Sequence, residues 1–140
     1  MVCEARIISK PKFGRLIARG NCRAVYDAGK YVVKVLHANV KGHNWREVRV
    51  WNERDDLRPW LVPIIGITED GKCLLTMKGK SVKRSQVPTT YPDCLHDTGA
   101  SNWVRIKGKV LFADYGNARM YRKVFGEEYT LEDCKRSIRQ

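Results

Sequence analysis

The sequence predicts an α+β fold in which antiparallel strand pairs carry one helix, and three observations predict it. A β-branched run, Tyr31-Val32-Val33-Lys34-Val35-Leu36, follows the turn signal Asp27-Ala28-Gly29-Lys30. Residues 45–52 space their apolar side chains at helical rather than alternating intervals. Two further apolar runs, 61–67 and 73–77, flank the turn signal Glu69-Asp70-Gly71-Lys72.

Each element follows in chain order. Leu16-Ile17-Ala18 and Ala24-Val25-Tyr26 read as strands that join the 31–36 strand in a hairpin or short meander. Asn44 can cap the helix over 45–52, which ends before Pro59. The runs 61–67 and 73–77 form a second antiparallel pair. Residues 78–92 are basic, polar and carry two prolines, which predicts a loop with at most one short helical turn. Strands are expected at 103–106 and 110–113, joined by Lys107-Gly108-Lys109. Thr130-Leu131-Glu132-Asp133 resembles a capping box and should open a last short helix.

The chain has 140 residues, enough for one compact domain with a real core and too few for two ordinary ones. At 43% apolar and 30% charged residues it suits a folded, water-soluble protein. No stretch reaches the roughly 20 apolar residues of a membrane span, and the amino terminus has no signal-peptide core, so a cytoplasmic protein is expected. Five scattered cysteines (Cys3, Cys22, Cys73, Cys94, Cys134) fit reduced thiols better than a disulfide framework, and no CxxC or HxxxH pair offers a zinc site. The net charge of +12, spread along the chain, predicts an acidic partner: a nucleotide, a nucleic acid or an acidic protein face. A solvated surface that aids solubility is the plain alternative.

Several positions could carry chemistry. Arg19-Gly20-Asn21-Cys22-Arg23 lies between two strands, where exposed amides around Gly20 could close over phosphates, or simply form a hairpin loop. Lys34 sits in a strand among apolar neighbours, where a charge on a buried face needs a partner; it could also point outward. Glu47, on the predicted helix, could be that partner, although its spacing from Asn44 also fits a capping box. Asp97 and Asn102 stand five apart, and Asp114-Tyr115-Gly116 follows a strand pair. Taken singly, these are a loop rich in turn formers and a strand-ending turn.

In order and spacing this set resembles the protein-kinase-like family: a lysine on a strand, a glutamate on the next helix, a D-x-x-x-x-N loop and a D-[F/Y]-G motif. The resemblance covers about residues 18–116 and is to a minimal or truncated form of the bacterial or phage type. It implies a kinase-like fold with an antiparallel N-terminal sheet plus one helix (about 1–77) and a strongly reduced C-terminal lobe (about 78–140). It implies ATP and Mg2+ as cofactors, with Lys34 on the phosphates, Glu47 fixing the ammonium, and Asp114 and Asn102 on the metal. Asp97 would accept the proton of the attacking hydroxyl, and Gly116 would permit the sharp turn behind the metal ligand. Adenine would lie beside the segment ending at Met77 and Lys78.

The pattern also departs from the family. Leu95-His96-Asp97 replaces His-Arg-Asp, and no lysine lies between Asp97 and Asn102, which fits small-molecule phosphotransferases equally well. Asp97 comes only twenty positions after Met77 and twenty-four residues follow Gly116, too few for a large peptide-binding lobe. The expected function is ATP-dependent phosphotransfer to a protein or small-molecule hydroxyl. The alternative is a kinase-like module that engages an acidic partner through surfaces such as Lys83 and Arg84. A third reading is nucleic-acid binding, with Trp103 or Tyr121 stacking on bases.

Overall fold

The computed structural model describes residues 4–138. Cys3 therefore lies outside the described residues, and the other four cysteines are free thiols, as expected. Among the described residues the chain is a mixed α+β fold with nine strands and three α-helices: β1 (Arg6–Ile8), β2 (Leu16–Arg19), β3 (Arg23–Ala28), β4 (Tyr31–Leu36), α1 (His43–Glu53), β5 (Ile64–Thr68), β6 (Cys73–Met77), β7 (Lys80–Ser81), β8 (Trp103–Ile106), β9 (Lys109–Phe112), α2 (Ala118–Phe125) and α3 (Leu131–Arg136).

Six strands form one sheet in the order β1-β5-β6-β4-β3-β2. The hairpins expected from the turn signals are present: β3 pairs antiparallel with β4, and β5 with β6. The β3–β4 turn is two residues long, with Gly29 at φ 77°, a left-handed conformation that costs glycine little. The register sets Lys34 directly opposite Val25 on one side and Leu74 on the other, while Arg23 stands opposite Leu36. Because cross-strand partners point to the same face and side chains alternate along a strand, Arg23, Val25, Lys34 and Leu74 share a face. That is the face α1 covers.

The helix α1 opens one residue before Asn44. Its cap is Gly42, in the left-handed region at φ 84°, with no capping side chain. Asn44, the expected cap, is instead fully buried inside the first turn. Its amide donates to the carbonyls of Gly71 (3.0 Å) and Lys72 (3.1 Å) on the β5–β6 turn. Eight of the eleven α1 residues are buried, because a second layer covers the face away from the sheet. That layer is α2 and α3, both in contact with α1.

The carboxy-terminal region departs most from expectation. β7 interrupts the predicted loop and pairs with β8, giving a second sheet, β7-β8-β9. The expected helical turn is present at Arg84–Gln86. β9 begins one residue early because the connection is a two-residue turn, Lys107 and Gly108, both at positive φ (50° and 79°). α2 was not anticipated, although Asn117 caps it by accepting from the Met120 amide (2.8 Å) and Gly126 ends it at φ 70°. In α3, Thr130 caps as its spacing predicts.

One hydrophobic cluster runs through both parts of the chain, from Ala5, Trp45, Trp51 and Ile67 to Trp103, Phe112, Tyr121 and Cys134. The backbone continues this union: the Val62 amide donates to Phe112 (3.0 Å). The halves therefore share a core instead of packing as separate lobes. Trp103 and Tyr121 are fully buried within it, so neither can stack on a base. No helix among the described residues is long and apolar enough to cross a membrane.

Candidate functional site

The site lies where the covered face of β3 and β4 meets α1 and the segment after β9. Glu47, one turn into α1, is completely buried and is its hub. Lys34 Nζ stands 3.4 Å from Glu47 Oε2. Arg23, the first residue of β3, sends Nη1 to the same oxygen (3.0 Å) and Nη2 to Oε1 (3.2 Å). The Tyr115 amide donates to Oε1 as well (2.7 Å). Glu47 is thus an ion-pair partner and an anchor for residues 114–116, and the capping-box alternative falls away: the helix starts on Gly42, and the carboxylate turns inward.

Asp114 completes the cluster. Its Oδ1 accepts from Arg23 Nη2 (2.7 Å) and from His43 Nε2 (2.9 Å). Arg23 Nη1 also donates to Asn44 Oδ1 (3.0 Å). Lys34, Glu47 and Asp114, separated by up to eighty residues in sequence, therefore meet within one hydrogen-bonded set. Arg23 and His43 join them unpredicted. Their only sequence signals were the start of a strand and the start of a helix, which do not distinguish these two from the chain's other basic residues.

Burial and pairing compete at each ionisable group. For Arg23 burial works against the charge, yet Glu47 and Asp114 outweigh it and hold the pKa above its usual value. Lys34 goes the other way: burial lowers its pKa more than Glu47 raises it, and the Arg23 charge adds to the lowering. Burial also lowers His43, against the hydrogen bond that its Nε2 makes with Asp114. Burial alone would raise Glu47 and Asp114. Arg23 and Lys34 hold Glu47 low. The His43 hydrogen bond with the charges of Arg23 and Lys34 drives Asp114 well below the usual carboxylate range. Two cations face two carboxylates, and the cluster is balanced.

Lys34 has donors to spare. Among the described residues its ammonium has one partner, the long contact to Glu47, while an ammonium carries three N–H groups. A buried cation with unengaged donors is suited to receive an anion.

The predicted 97–102 loop joins the site through the backbone. Asn102 Nδ2 donates to the Asp97 carbonyl (2.7 Å), closing the loop. The Asn102 carbonyl in turn accepts from the Ala113 amide (2.7 Å), immediately before Asp114. Asp97 is exposed and Asn102 half-buried. Asp97 and Asp114 both adopt positive φ (65° and 60°), a region where non-glycine residues cost of order 1 kcal/mol or more. The strain falls on two carboxylates that the sequence singles out.

The remaining predicted positions differ in role. Gly20 donates to the Arg23 carbonyl (2.8 Å), and its own carbonyl is held by His37 Nε2 (2.8 Å), which fixes an exposed turn at the head of β3. The Met77 and Lys78 amides already donate to Pro63 (3.1 Å) and Lys30 (3.1 Å), so neither is free to meet an adenine edge. Lys78 Nζ pairs with Asp27 (2.8 Å). Gly116 does not make a turn of positive φ; it is glycine for space. A Cβ there would lie 2.4 Å from the His43 carbonyl oxygen.

The donor set does not fit the magnesium that the kinase resemblance implies. Mg2+ requires near-octahedral oxygen ligands at about 2.0–2.1 Å. Both Glu47 oxygens and one Asp114 oxygen are engaged by cations or amide donors. His43, Glu47 and Asp114 do bring potential ligand atoms within 4.8 Å of one another, but the Arg23 guanidinium bonds two of the three. No protein-family model and no curated protein matches the chain.

Proposed function

We propose that the protein is a kinase-like phosphotransferase that moves the terminal phosphoryl group of ATP to a hydroxyl. The observation that carries this reading is Lys34: a buried ammonium, held by a fully buried glutamate, with donors left for an anion. Its neighbours suit the reaction. Arg23 adds a second positive charge beside Lys34, and such charges stabilise negative charge on phosphates in a site poor in water. Asp97, exposed at the end of a closed loop, can accept the proton of an incoming hydroxyl as its oxygen bonds phosphorus and ADP departs with the bridging oxygen. Asp114 orients Arg23 and His43 from the far side.

The test is ADP formation and phosphate transfer from ATP, including onto the protein itself, followed by mass spectrometry. Lys34→Met and Asp97→Asn should each lower turnover at least about a hundredfold, in line with losing a charge-stabilising or proton-accepting group. Asparagine tolerates the positive φ at position 97, so the fold is kept. Equal turnover in wild type and both variants overturns the reading.

A second reading has its own observation. Lys80 and Arg105 stand directly opposite each other on β7 and β8, both exposed, and neither belongs to an ion pair among the described residues. Like charges in such positions repel, and an acidic partner protein would relieve them. Lys80→Glu with Arg105→Glu would then abolish partner binding while Lys34→Met would not; the opposite ranking rejects it.

A further inference from the structure

We propose that Arg23 takes the place of the divalent cation, so that this site binds a nucleotide triphosphate without metal and becomes a metal site only when Arg23 is removed. The ATP half of this inference rests on the phosphate-binding reading above; the cation half does not.

Geometry carries the argument. The Arg23 side chain is 6% exposed and enters from the first position of β3. Its two terminal nitrogens reach three side chains at once: Asn44 (3.0 Å), Glu47 (3.0 and 3.2 Å) and Asp114 (2.7 Å). The guanidinium therefore joins the two carboxylates of the His43, Glu47 and Asp114 group, the one set of described His, Cys, Asp and Glu side chains placed to share an ion. A guanidinium fork matches carboxylates by shape and keeps its charge at all working pH values. A metal ion bonded directly to those oxygens would have to displace the guanidinium, whereas Lys34 reaches Glu47 Oε2 only at 3.4 Å.

Charge gives the same result. Arg23 and Lys34 face Glu47 and Asp114, two positive side chains against two carboxylates. A divalent cation added to these paired charges would leave the cluster with an excess of two positive charges. Substituting Arg23 by glutamine leaves two carboxylates against the single charge of Lys34 and takes the guanidinium off both of them, beside the His43 imidazole. That mixture of oxygen and nitrogen ligands suits Mn2+ or Zn2+.

The experiment is a thermal-shift titration of the intact chain. Wild type with ATP plus EDTA should be stabilised as much as with ATP plus Mg2+, and Mn2+ alone should leave its melting temperature unchanged. Arg23→Gln should gain a saturable rise of at least about 3 °C with Mn2+ alone. Loss of the wild-type ATP shift in EDTA overturns the proposal, as does Mn2+ shifting both proteins alike or neither. If ATP shifts wild type under no condition, the phosphate reading fails, and the Mn2+ comparison still decides the role of Arg23. Should Arg23→Gln not fold, the wild-type ATP comparison with and without EDTA decides alone.

Discussion

Glu47→Gln tests the hub of the structure by removing one charge and almost no volume. In the native protein the Glu47 carboxylate holds Arg23 through both oxygens and Lys34 through one, and receives the Tyr115 amide. Glutamine keeps an oxygen for Tyr115 but leaves two buried cations facing Asp114 alone. Removing one partner of a buried ion pair costs about 3–5 kcal/mol, because an uncompensated charge remains in a poorly hydrated place. The retained shape and amide acceptor place this variant near the lower end, about 3 kcal/mol. For a domain of this size that corresponds to a fall of roughly 10–15 °C in melting temperature. In urea the midpoint should fall by about 1–2 M at unchanged slope. The assay is urea unfolding followed by tryptophan fluorescence, since Trp45 and Trp51 flank Glu47 on α1 and are buried. A loss under about 1 kcal/mol would refute the reasoning, since it would mean that Arg23 and Lys34 find water or other partners and the cluster is not closed.

Further outcomes follow from the same geometry. Gly116→Ala should destabilise by about 1–3 kcal/mol through overpacking against the His43 backbone, read from the same urea curves. Asn44→Ala should cost about 1–3 kcal/mol, as it strips partners from the Gly71 and Lys72 carbonyls and from Arg23. Acid should act in two stages. The folded pKa of His43 lies below its ordinary 6.5, so the unfolded chain takes up that proton first and stability starts to fall as pH drops below 6.5. Glu47 and Asp114 have folded values below their ordinary 4.5 and 3.8, so their contribution is present above those values and is lost steeply as pH falls beneath them. Melting temperatures from pH 8 to pH 3 check this, and a flat profile across the range would contradict it.

The elements legible in the sequence were those specified by neighbours along the chain. The β3–β4 and β5–β6 hairpins carry apolar runs around glycine turns, and Thr130 announces α3 within its own four residues. β1 was not legible, because three residues gain their identity from a parallel partner sixty positions later. α2 was legible in principle: Asn117 and Gly126 frame it, and Met120, Tyr121, Val124 and Phe125 fall on one face with Arg119, Arg122 and Lys123 on the other. Asn44 has the chemistry of a cap and was drawn inward by carbonyls of a distant turn.

The site divides the same way. Lys34, Glu47 and Asp114 were chosen by type, order and spacing, and the fold brings them together. Arg23 and His43 are defined by what they touch, across twenty-four and seventy-one residues respectively, and no local pattern marks a buried arginine in a chain of net charge +12. Gly116 was expected to permit a sharp turn, whereas the crowding at that position is against the His43 backbone of α1, a tertiary property.

Calorimetric titration of ATP into wild type and Lys34→Met tests the proposed phosphate site most directly. Methionine keeps the length of the stem and removes only the ammonium, and Glu47 retains Arg23. A charge-assisted contact is worth about 1.5–3 kcal/mol, so binding should be measurable in wild type and about 10- to 100-fold weaker in the variant, with both folded. Equal affinity in the two proteins, or no heat of binding in wild type, would contradict the assignment of Lys34 as the anion-holding residue.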